Sequence, residues 1–315
     1  MHCHRYKNLI LAAILPAILC SFLLSGCTGQ GSASAASETK ESGKKRQTIT
    51  TFFAPQQGSQ TEGSDLVQLD TSNTSEGYLM INYTGTADKA LLQVTIPDGS
   101  AIYTYPILTG SFQTFPLSCG DGEYIISIME HLSDEFYSVI YSTALQVTLA
   151  DEFRPYLYPN EYVNYSSESK AVALGIELSD ESSDDLDFVT KVYDYVISNI
   201  QYDEEKAEGD LTDYIPDIDE TLETGYGICF DYASLMAAVL RSQQIPTKLV
   251  FGYSGTVYHA WISVYLTEYG WVDNIIEFNG SSWSLIDPTL AANNNADDVS
   301  QYIGDGSNYT EKYWY

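Results

Sequence analysis

Three residues in the C-terminal half of the chain, Cys229, His259 and Asp287, are of the types that together perform thiol-mediated acyl transfer. Such a reaction needs a sulfur nucleophile, an imidazole to take its proton and hold the thiolate as an ion pair, and a carboxylate to fix the imidazole's tautomer. Taken singly, each residue has a plainer explanation. A cysteine opening a helix is often a small packed residue, a histidine on a strand is often a satisfied core residue, and Asp287 precedes Pro288 as a turn residue would. Their order, at spacings of roughly thirty residues, favours a joint role. From residue 153 onward Cys229 and His259 are the one cysteine and the one histidine.

The elements around them suit that role. Cys229 stands in GYGICFDYASLMAAVLR (Gly225–Arg241), where Gly225 and Gly227 allow a tight non-helical approach. From Phe230 onward Ala233, Met236, Ala237 and Leu240 recur at helical spacing, so Cys229 sits at a helix N-terminus, which favours a thiolate. The helix stops before Ile245-Pro246. His259 begins a strand-like segment to Leu266, between segments at Lys248–Tyr253, Trp271–Phe278 and Ser282–Ile286, with Asn279-Gly280 as a hairpin signal. An earlier helix carries Val189, Val192, Val196 and Ile200 and is capped by Asp184 or Ser183. The acidic stretch Tyr202–Glu223 lacks the glycine of a calcium loop and reads as a solvated loop.

The N-terminal half divides by composition. Residues 1–26 carry Arg5 and Lys7, an uncharged apolar run from Leu9 to Leu24, and small residues before Cys27. That is the form of an export signal. Leu24-Ser25-Gly26-Cys27 resembles the lipobox of bacterial lipoproteins, which implies lipidation of Cys27. A transmembrane anchor is disfavoured because the run is short and Pro16 interrupts it. Residues 27–64 read as a flexible tether, with Lys44-Lys45-Arg46 as a solvated charge cluster. Between 65 and 152, alternating segments at Tyr78–Thr84, Ala90–Ile96, Ala101–Leu108, Glu123–Met129 and Val139–Leu149 are separated by turn signals, which suggests an immunoglobulin-like β-sandwich. His131, beside Glu130, reads as a surface residue. Arg154 to Pro159 reads as the connection to a third region, 153–315.

Composition narrows the function classes. With 14 Lys+Arg against 43 Asp+Glu, the net charge is −29. Such acidity excludes a nucleic-acid-binding face. Of five cysteines, Cys3 and Cys20 lie in the signal and Cys27 at the lipidation site, leaving Cys119 and Cys229. Joined as a disulfide outside the cell they would silence Cys229; the reading adopted is two free thiols. No metal-type spacing is present, and neither a metal nor a cofactor is expected.

The stretches Gly225–Tyr253, Tyr258–Leu266 and Trp283–Thr289 together resemble the core of the transglutaminase-like superfamily, in the order that family shows. The resemblance implies a papain-like α+β fold over about Tyr156–Tyr315, with Cys229 as nucleophile, His259 as base and Asp287 as orienting carboxylate. Trp261 matches the aromatic of the His-Ala-Trp block, where packing is its expected role. The implied activity is acyl transfer through a thioester, a cysteine protease or amidase if water resolves it and protein cross-linking if an amine does. The backbone N–H of Cys229 would hold the oxyanion, with Tyr202 as candidate second donor. The expected partners are a peptide or protein substrate and a membrane, reached through the lipid anchor. The competing expectation is a catalytically silent binding or scaffold lipoprotein.

Overall fold

The architecture was obtained as a computed structural model that describes residues 46–272, 277–278, 283–284 and 309–315. The signal segment, Cys27 and Asp287 lie outside the described residues.

The first half is built of eight strands: β1 (Thr61–Gly63), β2 (Val67–Asp70), β3 (Tyr78–Tyr83), β4 (Ala90–Thr95), β5 (Ile102–Pro106), β6 (Phe112–Pro116), β7 (Gly122–Ser133) and β8 (Phe136–Val147). They form two antiparallel sheets of four, ordered β1-β2-β3-β6 and β5-β4-β7-β8. Period-2 patterning dictates this: along β4, Ala90, Leu92 and Val94 are buried while the residues between them are half-exposed. Leu69, Leu79, Ile81, Phe115, Leu92, Ile126 and Ile128, drawn from both sheets, are fully buried in a shared core. Each such side chain contributes about 1.5–3 kcal/mol by leaving water.

The second half adds five helices and a second set of strands. In chain order these are α1 (Lys170–Asp180), α2 (Asp185–Asn199), β9 (Gln201–Tyr202), α3 (Glu204–Ala207), α4 (Ile218–Thr224), β10 (Tyr226–Gly227), α5 (Cys229–Ser242), β11 (Thr247–Ser254), β12 (Val257–Leu266), β13 (Gly270–Val272), β14 (Glu277–Phe278), β15 (Trp283–Ser284) and β16 (Tyr309–Trp314). An antiparallel sheet runs β13-β12-β11-β16. Helix α5 packs on β11 and β12 with one side and on α1, α2 and α4 with the other. Every residue from Asp231 to Ser242 is buried, so α5 is apolar nearly all round, as a central helix must be. Gly175 brings α1 close: a Cβ there would lie 2.6 Å from the Ser242 hydroxyl and 3.1 Å from the Val239 carbonyl. Among the described residues no helix is long and apolar enough to cross a membrane.

Two expectations need correction. The tether expected to reach residue 64 is, from Arg46 onward, chain tied to the fold by hydrogen bonds and ring contacts, exposed from residue 56 on, and Arg46 is not a solvated charge. Its guanidinium pairs with Asp185, donates to Ser179 Oγ (3.0 Å) and to the Gln243 carbonyl (2.7 Å), and lies 4.3 Å over the Phe188 ring. Ile49 and Gln243 then exchange two hydrogen bonds of 2.9 Å, and Phe52 and Phe53 pack on Tyr165 and Tyr158. The first sheet accordingly starts at Thr61, ahead of the expected boundary at 65. The acidic stretch 202–223 is also structured. Asp203 caps α3 by accepting the Lys206 N–H (2.9 Å), and Asp217 caps α4 by accepting the Glu220 N–H (2.9 Å).

The two halves meet along a seam of tyrosines and backbone. Ser118 Oγ donates to the Trp314 carbonyl (2.6 Å), Tyr156 OH donates to the Ser118 carbonyl (2.7 Å), and the Glu161 N–H donates to the Thr114 carbonyl (3.0 Å). The ring of Tyr315 lies 5.3 Å from Tyr103 and 5.5 Å from Tyr105. The expected connector at Arg154–Pro159 is therefore a packed joint, with Pro155 and Tyr156 buried in a short 3-10 turn.

Candidate active site

The approach to Cys229 is a short parallel pair. Strand β10 aligns with β9 so that Tyr226 faces Gln201 and Gly227 faces Tyr202. Gly225 ends α4 in the left-handed region (φ 70°), and its N–H donates to the Thr221 carbonyl (3.0 Å). Its own carbonyl accepts from the Gln201 N–H (2.8 Å), and that of Gly227 from the Asp203 N–H (2.9 Å). Helix α5 begins at Cys229, with Ile228 as its extended cap residue. Isoleucine has no oxygen to offer the first turn. One half of a capping box remains, in which the Asp231 carboxylate accepts the Ile228 N–H (2.8 Å).

The Cys229 sulfur accepts the backbone N–H of Ala260, the residue after His259, and is also met by the N–H groups of Phe230 and Cys229. The last two are what a helix N-terminus was expected to supply; the first comes from β12. Burial outweighs them: it pushes the Cys229 thiol above its ordinary value, and the nearby Asp231 carboxylate pushes the same way. His259 and Ala260 send their side chains to opposite faces of the strand. The sulfur thus lies against the residue that follows His259 on β12. Both Cys119 and Cys229 are free thiols.

His259 is buried and lies opposite Gly252 on β11. A Cβ at Gly252 would lie 2.1 Å from the Thr310 carbonyl and 2.7 Å from the Trp261 ring, so this position has no room for a side chain. Trp261 is fully buried, its ring 6.3 Å from that of His259 and 5.4 Å from that of Tyr309, in the packing role expected of it.

Two phenols interact electrostatically with the thiol. Tyr202, the candidate oxyanion donor, is pushed up to about 12 by burial and then by the charges of Cys229, Glu204 and Asp231. Tyr258, half exposed at the rim, is pushed up to about 12 by burial and by its neighbours Tyr313, Tyr253 and Cys229. Tyr258 was not foreseen; the signal is its place before His259, which puts it on the Ala260 face of β12. Asp231, Lys206 and Tyr214 were also missed. The Lys206 ammonium (2.9 Å) and the Tyr214 hydroxyl (2.5 Å) both donate to the fully buried Asp231 carboxylate. His131 pairs with Asp88 at 3.0 Å in the N-terminal half, and the adjoining Lys89 pairs with Asp213, the residue before Tyr214. Among the described residues no three His, Cys, Asp or Glu side chains gather as metal ligands would.

Residues 172–274 match the family model of the transglutaminase-like superfamily. The chain is 28% identical over 170 residues to the uncharacterized protein YebA of Bacillus subtilis (strain 168), a match covering 43% of this chain. It spans 22%, about a fifth, of that relative's length. Among solved structures, a provisionally assigned cysteine protease from Cytophaga hutchinsonii aligns with a TM-score of 0.32 and 15% identity, covering 62% of this chain and 69% of that one. Red sea bream transglutaminase aligns with a TM-score of 0.27 and 12% identity, covering 67% of this chain and 48% of that one. At these scores neither bears on the chain's activity.

Proposed function

We propose, from the transglutaminase-like core at residues 172–274, that this chain is a thiol enzyme acting on peptide or protein amides. Cys229 is the nucleophile, His259 the base and Asp287 the carboxylate that orients it. The observation that carries the reading is the placement of the Cys229 sulfur at the start of a buried helix, against the Ala260 N–H and one residue from His259.

In the reaction, His259 takes the thiol proton and the sulfur adds to the amide carbonyl carbon. The developing oxyanion is held by the Cys229 N–H and by the Tyr202 hydroxyl. The C–N bond breaks as His259 returns the proton to the departing amine, leaving a thioester on Cys229. Water or a second amine then adds to the thioester and releases the thiol, giving hydrolysis or transamidation. Because burial opposes ionisation of Cys229, the thiolate depends on pairing with protonated His259. The N-terminal sheets are read as an immunoglobulin-like spacer or binding module. Lipidation at Cys27 would place the enzyme at the outer side of a cell membrane.

The test is turnover of peptide amides with and without added amines, together with alkylation of Cys229. Cys229→Ala is expected to abolish turnover, and His259→Ala to lower it by about 10³-fold or more. Undiminished activity in Cys229→Ala sinks the reading. A silent binding or scaffold protein is the second reading, favoured by the burial that keeps the resting thiol protonated. It takes precedence if Cys229 titrates as an ordinary thiol with and without His259.

A further inference from the structure

The region around Asp231 holds a charge that the reaction above does not use. Asp231 is the third residue of the helix that Cys229 opens, and its side chain is fully buried. One carboxylate oxygen accepts the Ile228 N–H (2.8 Å) and the Lys206 ammonium (2.9 Å); the other accepts the Tyr214 hydroxyl (2.5 Å). Lys206 also lies 4.6 Å over the Tyr214 ring, and Tyr214 stands edge-on to Phe230, 6.0 Å away. Gly227 makes room for the carboxylate: a Cβ there would lie 2.8 Å from that of Asp231. These contacts clamp the segment from Asp203 to Tyr214 across the first turn of α5, beside the sulfur.

We propose that Lys206 is a positioning residue for the Cys229 thiol, offsetting the buried Asp231 carboxylate two residues along the helix and, with Tyr214, locking the helix's first turn. This rests on the reading of Cys229 as nucleophile. A bare carboxylate at that distance in a dry site opposes formation of a second negative charge on sulfur. Paired with an ammonium, the same carboxylate fixes the Ile228 N–H and the helix start without that cost. The charged and titratable groups facing the sulfur are Asp231 from α5, Tyr202 from β9, and Tyr258 with its neighbour His259 from β12. Those facing Asp231 are Lys206 and Tyr214, with the Tyr202 and Tyr232 phenols nearby. Lys206 is the cation that ion-pairs with Asp231 among the described residues.

The experiment is iodoacetamide alkylation of the full chain from about pH 5 to pH 10, read on the Cys229 peptide by mass spectrometry. Lys206→Met is expected to move the Cys229 profile upward by about one pH unit, about tenfold slower labelling on its acid limb, and Lys206→Arg to restore it. Asp231→Asn is expected to move the profile downward, and adding Lys206→Met to it to move nothing further. The proposal is overturned if Lys206→Met leaves the profile in place, if Lys206→Arg shifts it equally, or if the two substitutions add independently. Should Asp231→Asn fail to fold, the Met and Arg variants at the rim still decide. Failure of the nucleophile reading appears separately, as a profile indifferent to His259→Ala.

Discussion

The two ends of α5 each bury a charge, and they bury it differently. At the N-terminal end Asp231 is met by the Lys206 ammonium and the Tyr214 phenol, on a segment that reaches the surface, and by the N–H of the buried Ile228. At the C-terminal end Arg241, equally inaccessible, donates to the carbonyls of Tyr158 (2.8 Å), Thr247 (2.9 and 2.7 Å) and Tyr315 (2.6 Å). The signs complement the helix macrodipole at both ends. The partners differ in kind. One guanidinium joins carbonyls of three separate segments, so the Arg241 end is a rivet. Burial pulls even this guanidinium down to about 10. The Asp231 end is held by two side chains of one segment, Lys206 and Tyr214, with a single backbone N–H, and it is the end that carries the thiol.

The sharpest way to break this comparison is Arg241→Met, which keeps the length and removes every donor. It is expected to cost about 3–5 kcal/mol in urea unfolding, because three buried carbonyls lose their partner. The alkylation profile of the folded fraction should stay in place; a shifted profile would mean that the two ends are not independent.

Glu161 sharpens the contrast from another side, as a carboxylate buried at the seam beside the neutral Gln113 amide. Burial raises it to about 7. A carboxyl whose folded value lies above its unfolded one binds its proton more tightly when folded. Stability is then highest below about pH 4.5 for this group and falls as pH rises through about 7. Glu161→Gln is expected to remove this dependence and to gain roughly 2–3 kcal/mol near pH 8 over the parent chain. Parallel stability curves for the two proteins would refute it. The smallest effect is expected at Gly227. Gly227→Ala forces its Cβ against Asp231 and should cost about 1–2 kcal/mol while disturbing Cys229 labelling. A loss of stability with unchanged labelling would separate the helix start from the thiol.

How far the sequence was legible follows from the range of the forces involved. Helix α5 and the alternating strands β3, β4, β5, β7, β11 and β12 are written in local periodicity and turn chemistry and were read, and of the two caps offered for α2, Asp184 or Ser183, Asp184 is the one used. Helix α1 was missed because Gly175 weakens its helical signal, and the reason for that glycine, close approach to Ser242 on α5, is not local. Arg46 was read as solvated because its partners Ser179 and Gln243 lie 133 and 197 residues along the chain. The Lys206–Asp231 pair was invisible for the same reason across 25 residues. Of the candidate site residues, Cys229 and His259 were singled out by residue type and order, and Tyr258 and Asp231 by neither.

The docking of Arg46 on Gln243 also sets which end of α5 the N-terminal segment supports. Gln243 caps α5 at the end opposite Cys229, and fourteen residues of helix separate the two ends by about 20 Å. Arg46 and the Ile49–Gln243 pair therefore hold the pole of α5 that does not carry the thiol, so the N-terminal segment braces the helix about 20 Å from the sulfur.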